Sequence, residues 1–137
     1  MSFSFEQAPT IRMGEVKAFL PDVMYVACKK NYTIEAKDLE EFKAYRLKTI
    51  GDKPFFTILD MTKGLVSASR DAKAWAATNN KSSAKRRHDV FIVSSWLTKF
   101  KVNLYQFLFK PKTKTKVVRS LEEAQEFIAE FKKKNPI

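Results

Sequence analysis

Apolar residues along this chain follow two rhythms, and the change from one to the other marks out the elements. Residues 10–19 alternate loosely, with Ile11, Met13, Val16 and Phe19 apolar, and read as a strand or as two short strands broken near Gly14. Pro21-Asp22 makes a turn, and the β-rich run 23–31 reads as a second strand, hairpin-paired with the first. The spacing then becomes helical. Leu39, Phe42, Ala44, Tyr45, Leu47 and Ile50 recur along one face, with Thr33 as the N-cap, Glu35 and Asp38 in the first turn and Gly51-Asp52 as the stop. Asp38, Glu40 and Glu41 read as a solvated face of this helix.

Residues 54–61 form a continuous apolar run closed by Asp60, as expected of a strand buried on both faces. A loop of Thr62, Lys63 and Gly64 follows, and Ser67 or Ser69 caps a second helix with Ala72, Trp75 and Ala76 on its inner stripe. A basic linker over 79–88 leads to a buried strand at 89–95 and a third helix at 96–110. After the turn 110–116 comes a short strand at 115–119. The last helix opens with a capping box, Ser120 and Glu123, and carries Leu121, Ala124, Phe127, Ile128 and Phe131 on one side. The order β-β-α-β-α-β-α-β-α predicts an α/β fold: a mixed sheet of about five strands with four helices, in one domain over 1–137 with residues 1–9 as a lead-in.

Composition agrees with a globular chain, at 45% hydrophobic and 13% aromatic residues. No apolar run is long enough for a transmembrane helix, and the first residues lack the basic-then-apolar pattern of a signal peptide. Cys28 is the one cysteine and cannot form an internal disulfide, so a cytoplasmic protein is expected. Charge changes the picture more. The net +11 is concentrated in residues 61–119, where fourteen Lys/Arg face only Asp71 and Asp89, while 1–60 balance at nine against nine. Such a segment attracts an anionic partner.

The stretch Ile58-Leu-Asp-Met-Thr-Lys-Gly-Leu-Val-Ser-Ala-Ser-Arg-Asp-Ala72, set in this element order, resembles the STAS superfamily, the SpoIIAA-like anti-sigma-factor antagonists. The resemblance spans about residues 10–133. It implies an α/β sheet with a switch turn after the central strand, where a serine at a helix N-terminus is phosphorylated to control binding of a partner kinase or anti-sigma factor. On that pattern Asp60 matches the strand-end Asp and Ser69 the phosphorylated Ser. Ala68, Arg70 and Asp71 stand where the antagonists have Asp, Ser/Thr and Gly. The chain is closest in pattern to small bacterial SpoIIAA-like proteins that have the fold without that turn.

From the residues themselves, Ser67 and Ser69 are helix caps or phosphoacceptors, and the free amides of a helix start beside Arg70 suit an anion. The candidate switch or anion-binding turn is therefore Asp60, Ser67, Ser69 and Arg70. Two basic segments, Lys81, Lys85, Arg86, Arg87 and then Lys112, Lys114, Lys116, lead into the amino ends of strands, so they are expected at the sheet end opposite that turn. Nucleic acid is a weak reading for them, because no base-reading motif accompanies the charge. On the helix 96–110, Trp96, Val102, Tyr105 and Phe109 lie off the core stripe and form a candidate interaction face: a homodimer seam, a partner groove or a lid over a lipid-like ligand.

Catalysis and metal binding find little support. His88, the only histidine, falls in a basic linker read as exposed, and Cys28 has no histidine near it in sequence. No ligand-spaced His/Cys/carboxylate cluster and no Gly-rich phosphate loop is present, so no cofactor is expected. The sequence thus points to a non-enzymatic interaction or regulatory module, with a carrier of a small anionic or lipid-like ligand as the alternative.

Overall fold

A computed structural model describes residues 10–64, 66–78, 86–94 and 115–135. Strands β1 (Thr10–Ile11), β2 (Gly14–Leu20), β3 (Val23–Cys28), β5 (Phe55–Asp60), β7 (Arg86–Ile92) and β8 (Thr115–Val118) make one mixed sheet in that spatial order. Two three-residue strands, β4 (Tyr32–Ile34) and β6 (Val66–Ala68), pair separately. The described helices are α1 (Ala36–Thr49), α2 (Arg70–Thr78) and α3 (Leu121–Lys134). The α/β class and mixed sheet are as expected, but the main sheet has six strands, not five. Three helices fall among the described residues; the helix expected over 96–110 lies outside them.

The first two strands do break at Gly14, and for a steric reason. Its φ is +155°, and a Cβ there would stand 2.0 Å from the Ala27 carbonyl oxygen across the β2–β3 ladder. β2 and β3 pair antiparallel, while β3–β5, β5–β7 and β7–β8 are parallel. All six residues of β3 are buried, because helices cover both faces. On one face Val16, Met24, Val26, Cys28 and Phe55 pack under α1 and α2. On the other, Tyr25, Phe56, Ile58, Val90, Ile92 and Val118 pack under Ala124, Phe127, Ile128 and Phe131 of α3. Among the described residues no helix is long and apolar enough to cross a membrane.

Three expectations are corrected. Thr33 is not the cap of α1, because it is drawn into β4 by pairing with Ser67; Glu35 takes that place. Asp38 is not solvated: it is 0% exposed and accepts from the Tyr32 hydroxyl at 2.7 Å and the Glu35 amide at 2.7 Å, with Arg12 Nε at 3.8 Å. Burial of a carboxylate is sustained here by full hydrogen bonding. His88 is not in an exposed linker either. β7 begins three residues before Asp89, so His88 lies buried beneath α3, edge-on to Phe127 at 4.7 Å and Phe131 at 5.2 Å.

At this same amino end of β7, α3 is tied down by charge. Arg87 donates to the Asn135 carbonyl at 2.6 Å, at the negative end of the helix dipole, and stacks against Phe56 and Phe131. Lys132 pairs with Asp22 at 2.9 Å.

The Asp38 cluster joins α1, β4 and the β1–β2 turn, so its loss should cost more than a surface pair. Asp38→Ala strands two donors and is expected to lower unfolding free energy by about 3 kcal/mol. Tyr32→Phe removes one bond and is expected to cost about 1 kcal/mol. Urea titration of both single variants and the double variant measures this, and the double should fall short of the sum because both act on one bond.

Candidate functional site

The carboxyl ends of β3 and β5 leave the sheet side by side, at Ala27 and Asp60 in register. Each chain then makes a tight loop and enters the small parallel pair β4–β6, where Tyr32, Thr33 and Ile34 face Val66, Ser67 and Ala68. The two loops pack against each other at Gly64. A Cβ on Gly64 would lie 2.8 Å from Lys30 Cγ and 3.2 Å from the Asn31 amide nitrogen. Asn31 itself turns with φ 51°, a conformation Asn tolerates better than most residues. This close approach puts exposed Lys29, Lys30 and Lys63 on one surface.

Asp60, expected in the switch turn, faces inward. Its Oδ2 accepts from the Tyr25 hydroxyl. Its Oδ1 accepts from the Thr62 amide at 3.0 Å and the Thr62 hydroxyl at 2.7 Å, the self-bonded turn that Asp favours. Burial, and then this carboxylate, push the Tyr25 phenol above its ordinary value. The same two causes push the Cys28 thiol up to about 12. Tyr32 is likewise raised to about 12, by desolvation and by its bond to Asp38. Asp60 is thus half-buried and engaged with Tyr25 and Thr62, while Lys29, Lys30 and Lys63 are exposed.

Ser69 is the cap of α2. Its Oγ accepts from the Ala72 amide at 3.1 Å, and its own amide donates to the Ile34 carbonyl at 2.8 Å, which ties the helix start to β4. Ser67 lies in β6, exposed, with its Oγ 3.1 Å from Thr33 Oγ1. Arg70 is exposed at the first position of α2, next to exposed Asp71. Of the four turn residues, then, Ser67 and Arg70 reach solvent, Ser69 is half-buried, and Asp60 is occupied.

The remaining expected residues lie elsewhere. Arg87 and Lys116 sit at the amino ends of β7 and β8, and each packs on aromatic rings of α3, Lys116 Nζ 5.6 Å from the Phe127 centroid. Arg86 begins β7. Lys81, Lys85, Lys112 and Lys114, and Trp96, Val102, Tyr105 and Phe109, lie outside the described residues. Cys28 and His88 belong to opposite faces of the sheet. Among the described residues, no group of three His, Cys, Asp or Glu could hold a metal ion.

Lys29, Lys30 and Thr33 are site residues that the pattern of the chain did not single out. The signal available was local: a fully apolar strand ending in Lys-Lys-Asn, with the Asn at a turn.

The chain belongs to the family described as Domain of unknown function (DUF7793), whose sequence model matches residues 19–132, from the end of β2 into the last turn of α3. No curated protein and no solved structure matches it.

Because Ser69 caps α2, Ser69→Ala is expected to lower stability by about 1 kcal/mol, while Ser69→Asp retains a capping oxygen and stays within a few tenths of the parent. Thermal or urea unfolding separates the two, and equal losses would contradict the cap. Alkaline pH gives a second check. Cys28 and Tyr32 bind their protons more tightly folded than unfolded, from ordinary values of 9.0 and 10.0 up to about 12. Their contribution is therefore complete below pH about 9 and is lost as pH rises toward 12. Urea midpoints should fall between pH 9 and 11, and Tyr32→Phe should flatten the part above pH 10.

Proposed function

We propose that this chain is a non-enzymatic interaction module of the STAS type, working in the cytoplasm and binding a partner through the turn after β5. One observation carries the reading: two loops close on each other at Gly64 with Lys29, Lys30 and Lys63 exposed on them, and the elements that follow expose the Thr33–Ser67 hydroxyl pair and Arg70. Of the nearby acids, exposed Asp71 lies next to Arg70, and two others are engaged within the fold. Asp60 is held by Tyr25 and Thr62, and Glu35 pairs with Lys37 at 3.3 Å. An acidic protein face fits such a surface, since lysines steer the encounter and the hydroxyls accept or donate at its centre.

Ser69 has no role as a switch in this reading; it holds α2 in place. Ser67 is the exposed serine of the turn. The hydrophobic helix expected over 96–110 remains part of the proposal as a second contact. A small anionic ligand would use the same lysines, which makes the carrier the alternative outcome of the test.

The test is affinity purification of the tagged chain from its own cells, with partners quantified by mass spectrometry. Lys29→Glu/Lys30→Glu/Lys63→Glu should reduce recovery of the principal partner at least about 10-fold, the effect of reversing three exposed contacts. Lys133→Glu/Lys134→Glu, at the opposite end of the molecule, should leave it unchanged. Equal recovery from both variants contradicts the proposal. A small anion seen by native mass spectrometry, and lost only in the triple variant, moves the function to the carrier.

A further inference from the structure

Among the described residues, the sheet ends at β8, away from the loop surface. β8 is its last strand, and among the described residues nothing pairs with the outer edge. The Val93 amide donates to the Val118 carbonyl at 3.0 Å, so Val118 directs its backbone polar groups toward β7. Directions alternate along a strand, and the N–H and C=O of Val117 therefore point outward. Such an edge is a template for another strand.

Above that edge runs a groove of about 370 Å³. Val118, Phe127 and Phe131 give it apolar walls, and its rim carries Glu123, Glu126, Glu130 and Lys134 from α3 and Lys116 from β8. Both signs are present on one rim. A nucleic acid or an acidic peptide would meet the glutamates, and a basic peptide the lysines. A second copy of the chain, turned by a two-fold axis, presents the same stripe in reverse order, so that lysine at one end of α3 approaches the acidic stretch of the other.

We propose that β8 is the seam of a homodimer in which two copies pair their β8 strands antiparallel and extend the sheet across the two-fold axis. The register follows from charge. Centring on Lys116 would set two like charges directly opposite on one face, which is destabilising. Centring on Val117 pairs its outward N–H and C=O with those of the second copy and places Lys116 opposite Val118. The two α3 helices then lie antiparallel over one face of a continuous sheet, and the Val118–Phe127–Phe131 walls of the two grooves meet. This seam is independent of the loop surface at the carboxyl ends of β3 and β5, and either can be lost without the other.

Analytical ultracentrifugation of the full chain between about 1 and 200 µM tests it. The wild type should sediment as a dimer at the upper concentrations. Val117→Pro removes an outward amide that β7 does not use, so proline is compatible with the edge strand. It should weaken the dimer by about 100-fold while keeping the parent circular dichroism spectrum. Should Val117→Pro fail to fold, Glu126→Lys/Glu130→Lys reverses two of the three groove glutamates without touching the inner face of α3, and should yield monomer. A wild type that stays monomeric throughout, or a dimer that persists in a folded Val117→Pro variant or in the charge-reversed variant, overturns the proposal.

Discussion

The parallel pairing of β3 with β5 is the constraint on which the rest depends. Both strands are apolar on both faces, so neither can face water, and the sheet must be covered by α1 and α2 on one side and α3 on the other. Parallel pairing also forces both chains to leave the sheet at the same end. Register carries the exits to the same level, at Ala27 and Asp60, and the continuing chains are close enough to pair again as β4 and β6. The loop surface is a consequence of that geometry, since two loops that start from neighbouring strands have nowhere to go but against each other.

Charge at this end is sorted by hydrogen bonding. Asp38 and Asp60 both turn into the protein, the first to hold Tyr32 and the start of α1, the second to hold Tyr25 and Thr62. Burial, and then these bonds, raise both phenols' affinity for protons, while Lys29, Lys30 and Lys63 stay exposed. At the other end of the sheet two cations are engaged structurally, Arg87 by the carboxyl end of α3 and Lys132 by Asp22, while Lys116 is exposed. Among the described residues, the two ends of the sheet thus differ in how their cations are held.

Much of the architecture could be read from apolar spacing. The loose alternation over 10–19, the β-rich run from 23, the unbroken run before Asp60 and the helical stripe of α3 all lie where the strands and helix are found. The small sheet could not, because three residues are too few to show a period, and Thr33, Glu35 and Asp38 are the residue types that also begin helices. Pairing with Val66–Ala68, more than thirty residues away, decided the matter. His88 and Arg87 were hidden for a related reason. A run of Lys, Arg and His looks solvated, yet these two are held by Phe127, Phe131 and Asn135, which lie about forty residues further along the chain. That Ser67 or Ser69 would cap α2 was legible, and the bond from the Ala72 amide selects Ser69. That Asp60 would be occupied was not, since its donor Tyr25 comes from another strand.

Hydrogen–deuterium exchange of the chain alone and with its co-purified partner addresses the loop surface most directly. Protection on binding should appear at residues 29–34 and 61–70, the two loops and their short strands, with little change at β8 and α3. Protection confined to β8 and α3, with the loops unaltered, would contradict the account.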